Sequence, residues 1–176
     1  MAQFASLFQF KRERVKEDPE RLFLGFTAGG QAYALEVSAV REILRIPKIT
    51  SLPRVPAFVK GVIDLRGTIL PILDLRERLG LGSVDPKKGR IVVMLPGGSQ
   101  PVGLLIDAAT EVVKAAPGDI LPPPEAIQAP QLAIIEAVLR APGQLYLLLR
   151  PESVLTKKEF QVLEAQPWSD RDRAAK

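Results

Sequence analysis

Between Val62 and Leu75 two aliphatic runs, Val62 to Leu65 and Ile69 to Leu75, are separated only by Arg66-Gly67-Thr68. Runs of this length, rich in β-branched residues and leucine and joined by so few residues with a glycine among them, read as a β-hairpin rather than a pair of helices. The turn therefore presents Arg66. Gly61, just before the first strand, fits a tight start or a close backbone approach. Pro71 lies inside the second run, where it removes a ladder donor, and so belongs at a sheet edge, a bulge or a strand end. A guanidinium at a hairpin tip presents a planar set of donors to a carboxylate, although from the hairpin alone a solvated turn arginine is the plainer reading.

More short strands follow the same logic. Leu22 to Phe26 and Ala32 to Leu35 flank a turn with Gly29-Gly30, and Ile91 to Leu95, Val102 to Ile106 and Glu111 to Lys114 read as three strands of a second small sheet. Ile134 to Leu139 and Leu145 to Leu149 flank Ala141-Pro142-Gly143-Gln144 as a last hairpin. The segment Glu36 to Ile46 is ambiguous. Val37, Val40, Ile43 and Leu44 fit one helical face, while Val40 to Ile46 also suits a strand closed by Pro47. Pro53 and Pro56 mark an extended surface loop, and Leu75 to Gly82 a short amphipathic helix. Pro122-Pro123-Pro124 reads as a rigid spacer. Ser83 to Gly89 is the most linker-like interior piece, and the boundary between two lobes is expected near it.

The C-terminal helix is signalled most clearly. Thr156 is its N-cap, Glu159 completes a capping box, Leu155 and Phe160 stand at the staple positions, and Pro167 stops it. Residues 1–20 and 166–176 read as tails; Phe4, Leu7 and Phe8 in the first have the spacing of a short amphipathic face.

With 176 residues, 47% of them apolar, the chain can bury a sizeable core. It contains no cysteine and no histidine. That removes thiol nucleophiles, disulfides, the usual general base and the commonest nitrogen ligand of zinc or iron, while carboxylate chemistry such as glycoside cleavage or magnesium-dependent phosphoryl transfer stays open. Glu42, Asp64, Asp74 and Asp107 are the acids available for it, and each is better explained as a strand-end or turn residue. No cofactor or metal is expected. Twenty-four basic and 20 acidic residues are interleaved, without a dense phosphate-binding stripe, which speaks against a small-barrel binder of single-stranded nucleic acid, the alternative reading of a basic all-β chain. No apolar stretch approaches the roughly 20 residues that span a bilayer, so direct membrane insertion is not expected and a cytoplasmic address is the default.

Taken together, Val40-Arg41-Glu42-Ile43, Pro56 to Gly67 and Ile69-Leu70-Pro71-Ile72-Leu73-Asp74-Leu75-Arg76 resemble the signature of the CheW family of chemotaxis coupling proteins, and Val102 to Asp107 agrees with it. The resemblance covers residues 21–165. It implies a mainly β fold: two small five-stranded β-barrel lobes side by side, with an apolar groove between them, short helices and a C-terminal helix at 156–165. It also implies that Val40 to Ile46 is a strand. Members of the family are non-catalytic adaptors that hold a CheA-type histidine kinase, through its regulatory domain, against the cytoplasmic signalling tips of chemoreceptors.

The positions matching the family's contact residues are Val40, Glu42, Ile43, Gly61, Arg66, Gly67, Ile69, Gly103 and Val112. On this reading Arg66 pairs with Glu42 across neighbouring strands or donates to a receptor, and Gly61 and Gly103 let a partner approach closely. Asp64 joins these positions as a departure, because many members carry asparagine before Leu-Arg-Gly; an acid there is expected to hold Arg66 inward or to redirect it. The absence of a phosphotransfer histidine points to the stand-alone adaptor rather than the kinase.

Overall fold

The computed structural model describes residues 19–96, 100–125 and 132–166. The apolar spacing at Phe4, Leu7 and Phe8, the Pro167 stop and most of the turn at 96–99 lie outside these residues. Eleven strands run in order: β1 Arg21–Ala28, β2 Gln31–Glu36, β3 Val40–Arg45, β4 Val59–Leu65, β5 Thr68–Asp74, β6 Arg90–Met94, β7 Val102–Ile106, β8 Ala108–Ala115, β9 Ile120–Leu121, β10 Ile135–Ala141 and β11 Gln144–Leu149. Two helices accompany them, α1 Leu75–Arg78 and α2 Lys157–Glu164.

The strands make two sheets, as the mainly β expectation requires, but one has six strands rather than five. Its order is β8-β1-β2-β11-β10-β9, and that of the other is β3-β6-β7-β5-β4. The sheets do not divide at residues 83–89, because that segment joins α1 to β6 inside the five-stranded sheet. The reason is a long-range pairing: β2 lies parallel to β11, with Tyr33 opposite Leu147 and Ala34 opposite Leu148, so both ends of the chain build the six-stranded sheet around the middle. A composition shift marks a loop; it does not reveal which strands a loop separates.

Three apolar clusters fill the fold. Phe23, Ala34, Val113, Leu139, Tyr146 and Leu148 fill the inside of the six-stranded sheet. Ile63, Leu70, Ile72, Ile91, Val93 and Leu105 fill the inside of the other. Phe26, Tyr33, Leu35, Leu73, Val92, Met94, Leu104 and Ile106 pack the two sheets together, and Val154, Leu155 and Leu163 at α2 cap that core. Double-sided burial explains why Val102 to Ile106 is an unbroken apolar run, buried at every position, instead of an alternation.

Local signals are met where they were strongest. The Thr156 hydroxyl accepts from the Glu159 amide at 3.2 Å, and the Glu159 carboxylate accepts from the Thr156 amide at 2.7 Å, so the capping box starts α2. The Gly29-Gly30 and Arg66-Gly67 turns both have two residues at positive φ, the type I′ geometry that matches strand twist. Pro71 sits in β5 between β4 and β7, an interior strand, yet the parallel ladder to β7 begins only at Ile72. Beside Pro71 the strand has a neighbour on the β4 side alone, and no donor is missed there.

Candidate functional site

The segment that periodicity left open resolves into a 3-10 turn at Val37–Ala39 followed by β3. Along β3 partly buried and exposed residues alternate, with Val40, Glu42 and Leu44 partly buried and Arg41, Ile43 and Arg45 exposed. The polar Glu42 takes an inward-leaning position and the apolar Ile43 an outward one, which is why the strand pattern did not show in the hydropathy.

Glu42 is turned toward the tip of the β4–β5 hairpin. Both guanidinium nitrogens Nη1 and Nη2 of Arg66 donate to its carboxylate, a two-pronged ion pair. The strands are not neighbours: β3 and β4 are the two opposite edges of the five-stranded sheet, so the pair reaches across the gap between them. A second link spans the same edges. Beyond β3, Thr50 pairs with Val62 of β4 through two backbone hydrogen bonds of 2.9 Å. The sheet is thus drawn toward a ring by one backbone bridge and one ion pair.

The hairpin tip has its own cause. Arg66 holds φ 51 and Gly67 φ 86; a left-handed arginine is uncommon, and such positions persist when surrounding contacts over-determine them. Asp64 supplies one such contact, its Oδ1 accepting from the Gly67 amide at 2.8 Å. The acid therefore fixes the turn and does not hold Arg66, whose carboxylate partner is Glu42.

Gly61 and Gly103 are internal. A Cβ on Gly61 would lie 2.0 Å from the Thr50 carbonyl oxygen, and φ is 140 there, so this glycine admits the chain's own bridging segment rather than a partner. A Cβ on Gly103 would meet Ile72 Cδ1 at 2.5 Å and Ile91 Cγ2 at 2.8 Å, inside the sheet's core. Ile69, on β5, is partly buried. Val112 is 60% exposed but stands on β8, the outer strand of the other sheet. The structure thus brings Val40, Glu42, Ile43, Asp64, Arg66, Gly67 and Ile69 to one sheet and its closing edge, keeps Gly61 and Gly103 beneath it, and leaves Val112 apart. Thr50, which completes that edge, carries no local signal in the sequence, because its role exists only once β4 lies beside it.

Between the sheets lies an apolar core. A cavity of about 440 Å3 opens at the seam, and its lining includes Arg21, Glu36, Glu136 and Glu152. Arg21 grips Glu36 there, Nε to Oε1 at 3.0 Å and Nη2 to Oε2 at 2.6 Å, and these hydrogen bonds hold the Glu36 carboxyl below the ordinary carboxylate value despite partial burial. Another contact joins the sheets directly: Asp107, at the end of β7, accepts from the Gly29 amide at 2.8 Å and faces Arg76 Nη1 at 3.5 Å. Asp74 is fully buried and binds the Glu77 and Val84 amides, as a cap and a loop anchor. Each of the four acids considered for carboxylate chemistry thus has a turn, clasp or anchoring role.

Comparison with known proteins agrees with this architecture. Residues 22–159 match the CheW-like domain. The chain is 33% identical over 139 residues to the chemotaxis protein CheW of Rhizobium meliloti (strain 1021), covering 79% of this chain and 90% of that protein. It is 30% identical over 164 residues to the chemotaxis protein CheW of Helicobacter pylori (strain ATCC 700392 / 26695), covering 90% and 98%. The crystal structure of the scaffolding protein TtCheW from Thermoanaerobacter tengcongensis superposes with a TM-score of 0.73 at 27% identity, over 80% of this chain and 96% of that one. With a domain match over most of its length, relatives at 30% identity or more that it covers almost entirely, and a matching two-sheet fold, the chain belongs to the CheW family of chemotaxis scaffold proteins.

Proposed function

We propose that this protein is a non-catalytic scaffold that couples chemoreceptors to a CheA-type histidine kinase, binding the kinase through its regulatory domain and the receptors through their cytoplasmic signalling tips. The observation that carries the reading is the clasp: an arginine held at positive φ on a hairpin tip, 71% exposed, and aimed at a carboxylate on the opposite sheet edge. An exposed pair of this kind adds about 0 to 1 kcal/mol to folding, so its value lies in orienting donors for a partner. Ile43 and Val40 beside it supply apolar contact. Residues 21–165 are the coupling unit, 1–20 and 166–176 its tails, and the protein works in the cytoplasm, recruited to receptor arrays at the membrane. Among the described residues no helix is long and apolar enough to cross a membrane.

Capture of this chain on an immobilised kinase regulatory domain and on receptor signalling tips tests the proposal, with Arg66→Ala as the comparison. Wild-type binding to both, weakened by Arg66→Ala, is the expected result. Binding to neither overturns it.

A further inference from the structure

The edge and outer side of β3 combine three features. First, β3 ends its sheet: it pairs with β6 on one side, and on the other it faces β4 across a gap crossed by the Glu42–Arg66 ion pair and, beyond the strand, by the Thr50–Val62 bridge, with no strand in it among the described residues. Its free backbone donors and acceptors form a ready template for another strand. Second, the exposed side chains along it are Arg41, Ile43 and Arg45, followed by exposed Lys48. Third, none of these three cations has an ion-pair partner among the described residues.

The arrangement is electrostatically costly as it stands. Arg45 lies directly opposite Arg90 of β6, and like charges facing each other across strands are unfavourable. Arg90 bends back to the carbonyls of Lys88 and Gly89, at 3.1 and 2.8 Å, which leaves Arg45 without an anion. Arg41 sits at the register shift between Val40 and Glu42, a bulge of the sort that re-aims a side chain at a sheet edge. Ile43, opposite Val92 in the register, is 41% exposed and presents an apolar side chain to solvent between the two arginines.

We propose that the free edge of β3 accepts an extended acidic protein segment as an added strand, with carboxylates at alternate positions meeting Arg41 and Arg45 and an apolar residue between them covering Ile43. The period of two along a strand gives the spacing, backbone hydrogen bonds give the affinity and the side chains give the selectivity. This assigns a partner chemistry to the β3 part of the coupling surface, and in that sense it rests on the coupling reading. The rival account is that the arginines merely guard an edge strand against aggregation.

The test uses the full chain and a fluorescein-labelled synthetic peptide centred on Glu-Thr-Leu-Thr-Glu, followed by anisotropy at low and physiological salt. The peptide binds, more weakly as salt rises, and replacing its glutamates by glutamine weakens it about tenfold. Arg41→Glu with Arg45→Glu costs a similar factor of about ten, and Ile43→Asp also weakens binding, while Arg140→Glu, an exposed cation on β10, changes nothing. Hydrogen exchange shows new protection on amides of residues 40–45 in the complex. Urea midpoints of all variants near that of the wild type confirm that the fold is kept. Equal binding of the glutamine peptide, binding retained by the double variant, absence of new amide protection, or equally tight oligothymidine binding lost in the same variant overturns the proposal. Wild-type chain that binds the peptide but captures neither kinase nor receptor sinks the coupling reading alone, and wild-type chain that captures both but not the peptide sinks this one alone; Arg66→Ala keeps the peptide.

Discussion

Arg66 and Glu42 join strands that are the two ends of one sheet, separated in strand order by β6, β7 and β5. Side chains rather than a ladder close that end of the sheet, and side chains can exchange partners without unravelling a strand. Arg66→Ala is therefore expected to shift urea-unfolding stability by less than about 1 kcal/mol while reducing capture of receptor or kinase. A loss of several kcal/mol with capture unchanged would give the pair to the fold instead.

Glycine positions separate by what stands in their way. Gly61→Ala must push back the Thr50 carbonyl and strain a residue at φ 140, and it is expected to cost on the order of 3 kcal/mol. Gly103→Ala meets the movable Cδ1 of Ile72 and the fixed Cγ2 methyl of Ile91 and should cost about 1 to 3 kcal/mol. Gly67→Ala meets no atom within 4 Å, and only its positive φ charges it about 1 kcal/mol. Thermal unfolding of the three variants checks the ranking; Gly67 as the most costly site would contradict it.

Asp64 acts through the Gly67 amide, and an amide oxygen also accepts that hydrogen bond, without the charge. Asp64→Asn should leave stability within about 0.5 kcal/mol, whereas Asp64→Ala should lose about 1 kcal/mol. Chemical denaturation of both variants decides it, and equal losses would remove the capping role.

Glu36 gives a pH signature. Its folded value is held below the ordinary 4.5, first by the Arg21 hydrogen bonds and then by the guanidinium charge. Lowered in the folded state, it contributes stability above its unfolded value and loses that contribution as pH falls through the folded one. The urea midpoint should drop between about pH 5 and pH 3 less steeply in Glu36→Gln than in the wild type. Parallel curves would show that the pair is silent.

What could be read in advance divides along physical lines. The Arg66-Gly67 turn, the Gly29-Gly30 turn and the Thr156–Glu159 box rest on contacts a few residues apart, and composition alone specifies them. The strand at Val40–Arg45 did not separate from a helix by pattern, since Glu42 leans in and Ile43 out, and only the family resemblance favoured it. Gly61 reads as a close approach without showing that Thr50 is what approaches, and Asp64 reads as holding or redirecting Arg66, whereas its bond is to the Gly67 amide. The approach of Thr50 depends on an atom from elsewhere in the chain, a fact no local window holds. The pairing of β2 with β11, which decides the division into sheets, spans over a hundred residues and left no mark on either strand.

That pairing also sets an order of events. A ribosome releases residues 40–106, all the strands of the five-stranded sheet, while the six-stranded sheet still lacks β8 to β11. Strands β1 and β2 emerge first as a lone hairpin of marginal stability, gain β8 beside β1 only after the five-stranded sheet is made, and wait for β11, made near the other end of the message, beside β2. Synthesis completes the middle of the molecule before its beginning.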